Sequence, residues 1–250
     1  KLTYLRQPDC HRHVRIDTGV VEYDEVSPFY DPMIAKLIVW DEKRDRAIAR
    51  MRHALNEYRI AGVKTNLGFL SALVSHPAFA AAELDTHFIE HHQADLFAPE
   101  QSESQQALLL AALYLLLKQQ PAPADRSPWS CGYGWRLNEA PQVRFNLRSG
   151  DNTSHVVVHS TATGQRLCVG DYCINASAEL QGDTLTATLS NQGSSHQFRV
   201  RVSHYQQNPQ SQIVSVFIAH QRFDFTYQTQ VEVAATDESA GSLKAPMNGT

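Results

Sequence analysis

ALLLAALYLLL, residues 107–117, is an unbroken apolar run in an otherwise mixed chain of 250 residues. Spanning a bilayer takes roughly 20 such residues, and this run is about half as long. Gln105, Gln106, Lys118 and Gln119 close on it from both sides, so the run predicts a buried helix over about 103–119 rather than a membrane span. Ser102 with Gln105 three residues on has the form of a capping box at its start. A helix that is apolar on every side has no face to offer to water, because each Å² left wet costs roughly 25 cal/mol. Something must encircle it.

The sequence that follows supplies the wrapping. PAPADRSP (121–128) carries three prolines and bars a helix. Beyond it, strand-like pieces recur at roughly ten-residue intervals: GWRLN, VRFNLRS, HVVVH, RLCVG, YCINAS, TLTATLS, HQFRVRVS, IVSVFIAH and RFDFTYQ. Val143, Phe145 and Leu147 alternate with polar residues, as do Phe198, Val200 and Val202, and Phe223, Phe225 and Tyr227. One apolar and one polar face is the pattern of an antiparallel sheet packed on one side. Gly164-Gln165, Gly182-Asp183 and Asn191-Gln192-Gly193 supply turns. Together these features predict a closed antiparallel β-barrel around the apolar helix, which buries the helix all round and leaves no open sheet edge.

Upstream of the run the chain reads as mixed α and β. LTYL, HVRID and GVVEY are strand-like, and MIAKLIVW (33–40) is a nearly continuous apolar strand of the kind found when both faces are covered. Ala47, Ile48, Met51, Ala54, Leu55 and Tyr58 recur at three- and four-residue steps, with Arg and Glu on the other face and Gly62 after the end, which predicts a helix. A second helix, TNLGFLSALVSH, starts from a Thr65/Asn66 cap and stops before Pro77, and DTHFIEHH starts from Asp85 or Thr86. The fold class is therefore α+β, with a boundary where the composition turns polar around residue 97.

The formal charge of −4 comes from mixed signs with no block of Lys or Arg, which argues against nucleic acid as a partner. Cys10, Cys131, Cys168 and Cys173 are too few and scattered for a disulfide framework and favour a reducing compartment. The N-terminus has no basic segment followed by an apolar stretch, so no secretion signal is read there. Membrane attachment is not expected.

Few residues suggest chemistry. His87 and His91 stand four apart around Glu90 and would chelate a metal only with a third ligand from elsewhere; helix-end histidines are the plainer reading. Cys168 and Cys173 read as buried thiols. Gly132-Tyr133-Gly134 precedes a strand, where phosphate binding would need a helix N-terminus, and reads as a turn. Arg15 stands two residues before Asp17, so on a strand both project from one face. The pair is either a surface ion pair or a guanidinium presented to an anionic oxygen.

VRIDTGVVEYDEVSPFYDPMIAKLIVW (14–40), AIARMRHALNEYRIAGVKTNLGFLSALVSHPAF (47–79) and DTHFIEHH (85–92) closely resemble the C-terminal part of the biotin carboxylase component of biotin-dependent acyl-CoA carboxylases. The tail LKAPMNGT (243–250) resembles the first strand of a biotinyl carrier domain, whose biotin-accepting lysine would lie further on and is not in this chain. The centre is similar to the domain that joins carboxylase and carrier in the biotin-containing subunits of this family, a barrel around a long helix. The resemblance implies the C-terminal part of a biotin carboxylase, an ATP-grasp enzyme, over 1–96 and the joining (BT) barrel over 97–235. A linker over 236–243 and the start of the carrier over 244–250 would follow.

The resemblance further implies biotin, ATP and Mg or Mn as cofactors, with the ATP-grasp glycine loop, phosphate-binding lysines and metal carboxylates upstream of Lys1. It implies bicarbonate and an acyl-CoA as substrates, and the carboxyltransferase (beta) subunit and the chain's own carrier domain as partners. The implied location is the cytoplasm of a bacterium or the mitochondrial matrix of a eukaryote. The wording DEVSPFYDPMIAKLIVWDE and GWRLN points within the family to 3-methylcrotonyl-CoA as substrate, with geranyl-CoA and propionyl-CoA as neighbouring alternatives. One site residue matches: Arg15 stands where the family has the arginine facing the biotin ureido oxygen. Ala61 stands where some family carboxylases have an acidic residue.

Overall fold

The structure, a computed structural model, describes residues 1–27, 29, 33–97, 102–119, 141–161, 164–191, 193–219 and 221–228. GWRLN, PAPADRSP, Gly132-Tyr133-Gly134, the linker and the carrier-like tail lie outside them, as does the side chain of Ser102. The elements run β1 (Tyr4–Arg6), β2 (Val14–Thr18), β3 (Ala35–Val39), α1 (Arg44–Glu57), β4 (Arg59–Ala61), α2 (Leu67–Ser75), α3 (Pro77–Ala80), α4 (Phe88–His91), α5 (Gln93–Leu96) and α6 (Ser102–Gln119). Eight strands follow: β5 (Gln142–Ser149), β6 (Asn152–Thr161), β7 (Gly164–Val169), β8 (Tyr172–Gln181), β9 (Thr184–Asn191), β10 (Ser194–Asn208), β11 (Ser211–Ile218) and β12 (Gln221–Gln228).

The eight strands close into an antiparallel barrel in the order β10-β11-β12-β5-β6-β7-β8-β9. Inside it lies α6, whose residues 107–116 are all buried and which packs on β5, β6, β8, β9, β11 and β12. The alternation forecast from sequence holds: Phe145 and Leu147, Val200 and Val202, and Phe225 are buried in one cluster with the helix, and Val143, Phe198, Phe223 and Tyr227 pack against it. A helix is about 10–12 Å across, wide for the interior of eight strands. Small residues supply the room, since Ala107, Ala111 and Ala112 on the helix meet a wall that includes Ala176 and Ala187, all of them buried.

The N-terminal segment builds two small sheets, β1 with β4 and β2 with β3, around a core of Leu2, Tyr58 and Ile60. Helix α1 turns Ala54 and Leu55 inward, as its periodicity demands. Gly62 follows β4 at φ +95°, and a Cβ there would run into the Lys1 carbonyl, so only glycine fits. Three local expectations change. Gly19–Tyr23 is not a strand: Tyr23 sits at φ 74°, and its N–H donates to the Leu2 carbonyl in a turn. The apolar strand at 33–40 is not covered on both faces. It pairs only with β2 among the described residues, and Met33 and Trp40 are 63% and 51% exposed. Asn66 precedes α2 without a side-chain cap, whereas Asp85 does accept a backbone N–H, from His87 at 2.8 Å.

Barrel and N-terminal segment meet along the outer face of β11 and its neighbours. The Tyr4 hydroxyl donates to Asp183 Oδ2 at 2.6 Å, and Arg201 Nη1 donates to both Asp183 oxygens at 2.7 and 2.9 Å. Phe217 is buried between the Tyr4 ring at 5.5 Å and the Arg59 guanidinium at 5.9 Å. Arg222 Nη1 donates to the carbonyls of Ile60 and Val63 at 2.9 and 2.7 Å. This explains why β11 is buried on both faces over Val214–Ile218, although only one face lines the barrel.

Candidate functional site

Arg15 lies on β2, whose other face carries buried Val14 and the core-packed Ile16. That alternation turns Arg15 and Asp17 outward together. Antiparallel pairing sets Arg15 opposite Ile38 and Asp17 opposite Lys36. Arg15 Nε and Nη2 donate to Asp17 Oδ1 and Oδ2 at 2.7 and 3.0 Å, a side-on bidentate grip. The Arg15 hydrogen bond holds the Asp17 carboxyl below its usual range; desolvation opposes it, and the charges of Arg15 and Lys36 add to the lowering. Both side chains are open to solvent, 73% and 44% exposed, and the Nη1 edge of Arg15 has no partner among the described residues. The site is thus an oriented guanidinium with donors to spare. Ala61 is buried where β4 pairs with β1, so the carboxylate beside Arg15 comes from Asp17 on the same strand.

The remaining candidates carry less. His87 and His91 stack at 6.0 Å between ring centres, with Asp85 3.9 Å from His91, and no metal-binding trio forms there. Cys168 and Cys173 are not free thiols: they face each other across β7 and β8 and are joined in a disulfide. Register brings them together, since residues directly opposite on adjacent strands lie within disulfide reach; spacing alone hid this. Among the described residues one trio has metal-ligand reach, His76, His92 and Asp95, contributed by three short segments that no motif links. His76 Nδ1 accepts the Ala78 N–H at 3.3 Å, which leaves the proton on Nε2, 3.6 Å from Asp95. Such a ring has no lone pair to offer an ion, so the trio reads as a capped helix start packed on Phe88 and His92. No helix among the described residues is long and apolar enough to cross a membrane.

Residues 1–91 match the biotin carboxylase C-terminal domain, and residues 104–208 match the BT domain of the methylcrotonyl-CoA carboxylase alpha-subunit. The mitochondrial methylcrotonoyl-CoA carboxylase subunit alpha of Dictyostelium discoideum is 37% identical over all of this chain and 37% of its own length. That of Arabidopsis thaliana is 51% identical over 40% of this chain and 14% of its own. A solved biotin carboxylase domain dimer of Hydrogenobacter thermophilus 2-oxoglutarate carboxylase, in complex with MgADP and bicarbonate, is 31% identical over 40% of this chain and 22% of its own, with a TM-score of 0.38. The chain spans little more than a third of the Dictyostelium relative, 37% of its length. In domain terms, the chain carries a region of the biotin carboxylase C-terminal domain type followed by a barrel region of the type of the methylcrotonyl-CoA carboxylase alpha-subunit BT domain.

Proposed function

We propose that the chain is part of the biotin-carrying subunit of an ATP-dependent acyl-CoA carboxylase, with 3-methylcrotonyl-CoA as the acyl acceptor. The observation that carries this reading is the succession of the two matched domains in one chain, 1–91 and then 104–208. The second domain favours the methylcrotonyl substrate, because it is the methylcrotonyl-CoA alpha-subunit type that it matches. In this reading residues 1–96 back the carboxylation site and residues 97–235 hold the carboxyltransferase (beta) subunit. The linker and the start of the carrier follow, and ATP and its metal are bound by parts of the subunit other than the residues described.

Biotin, when bound, supplies the ureido nitrogen that accepts the carboxyl group from bicarbonate at the expense of ATP. Arg15 is the residue of this chain that acts on it. Arg15 would hold the ureido oxygen, and a guanidinium already oriented would stabilise negative charge there without reorganising. Asp17 grips Nε and Nη2 and leaves the Nη1 edge to donate to that oxygen. Fit is supported by this open edge on an exposed strand face. In the full-length enzyme, Arg15→Ala should lower the rate of biotin carboxylation by about 10²-fold, the usual loss for one oxyanion donor, with the carboxyltransferase subunit still co-purifying. Unchanged turnover would refute the role.

A further inference from the structure

The seam between barrel and N-terminal segment opens on one side into a cleft of about 390 Å³. Four guanidiniums line it, two from each side: Arg6 and Arg59, and Arg199 and Arg201. Among the described residues only Arg201 has a carboxylate within ion-pair distance, Asp183. The two acids on the wall are Asp9 and Glu57, and Glu57 lies 3.4 Å from His53 instead. Arg59 spends one N–H on the Tyr58 carbonyl at 3.0 Å and lays its plane near Phe217. Burial, and then the nearby charge of Arg201, push its pKa down, with the neighbouring Tyr4 and Glu57 pulling the other way. Arg59 is thus held as a cation in the cleft at a cost. Arg6 and Arg199 are exposed at the mouth and have no partner among the described residues. A second groove continues from Arg199 along Gln181, Thr186 and Gln197 with no acidic residue in its lining.

Several unpaired guanidinium forks around one small cleft match an anion with many oxygens better than a single carboxylate, because each fork can take two oxygens. We propose that the cleft binds a phosphate-bearing small molecule, held by Arg6, Arg59 and Arg199 and so bridging the two domains. The site is separate from Arg15 and does not depend on the carboxylase reading. Nor does any motif mark it, as its arginines are drawn from both ends of the sequence.

Inorganic pyrophosphate is the probe, titrated calorimetrically into the full 250-residue chain. We expect saturable binding with a Kd below about 1 mM that weakens as salt is raised. The double variant Arg6→Gln/Arg199→Gln alters only exposed side chains and should keep the parent melting temperature while binding about ten-fold more weakly. ADP and inorganic phosphate serve as comparison arms. Comparable affinity for pyrophosphate and ADP would assign recognition to the phosphates, and tighter ADP binding would add a contact along the second groove. Absence of saturable binding of all three, equal affinity of variant and parent, or capture of a glutamate-rich peptide with no response to pyrophosphate would each overturn the proposal.

Discussion

Tyr4 shows how one side chain ties two domains and carries a pH signature. Burial, followed by the hydrogen bond to and charge of Asp183, raises its pKa to about 12. A phenol whose folded pKa lies above its unfolded value near 10 adds stability below pH 10 and loses it between about 10 and 12. The shift would be worth nearly 3 kcal/mol at full strength, but the ring is only half buried, and solvent screening reduces it to roughly 1 kcal/mol. Tyr4→Phe should therefore cost about 1 kcal/mol at pH 8, with the difference from the parent closing toward pH 12. Urea titrations at the two pH values measure it, and parallel curves would show that the hydroxyl does not couple. The Arg15–Asp17 pair was legible before any fold was known, since residues two apart on a strand share a face. The Tyr4–Asp183–Arg201 cluster was not, because nothing local relates position 4 to position 183.

Among the elements, α6 was the most legible, and for a thermodynamic reason. An apolar circumference admits only an enclosed helix, and alternation in the strands behind it identified both the enclosure and its inner face. What local pattern left undetermined was pairing. The strand at 33–40 has the composition of a covered strand but has, among the described residues, β2 alone as its neighbour, and the Cys168–Cys173 bond depends on the register of β7 with β8. The fully buried Leu113 tests how tightly the lumen is filled. Leu113→Ala should destabilise the chain by about 2–5 kcal/mol, combining lost transfer energy with an unfilled cavity. Leu117, which only packs against the edge of the cluster, should cost distinctly less. Equal losses in chemical denaturation would mean a loosely filled lumen.

Taken whole, the molecule is two domains fastened by a few polar contacts around Phe217. Arg222 is the fastening that matters most at this level: it satisfies two carbonyls of the N-terminal segment and is itself steered by Asp224 at 3.0 Å. Arg222→Ala leaves those acceptors to water or to nothing, a loss of about 1–3 kcal/mol directed at the seam rather than at either core. Calorimetry should then resolve two melting transitions in place of one, and a single unshifted transition would show that the domains do not depend on this contact for cooperativity.

The rod inside the barrel has a topological consequence. A body enclosed by a continuous wall cannot slip out sideways; it leaves only if the wall is unlaced along one full join. Seven of the eight joins link strands that follow one another in the chain, whereas β12 meets β5 across the whole barrel sequence, with Thr226↔Arg148 and Tyr227↔Leu147 among its pairs. That join of first strand to last has the longest loop to close and is the natural door: the place where the sleeve shuts last around its filling as the chain folds, and where it first comes ajar.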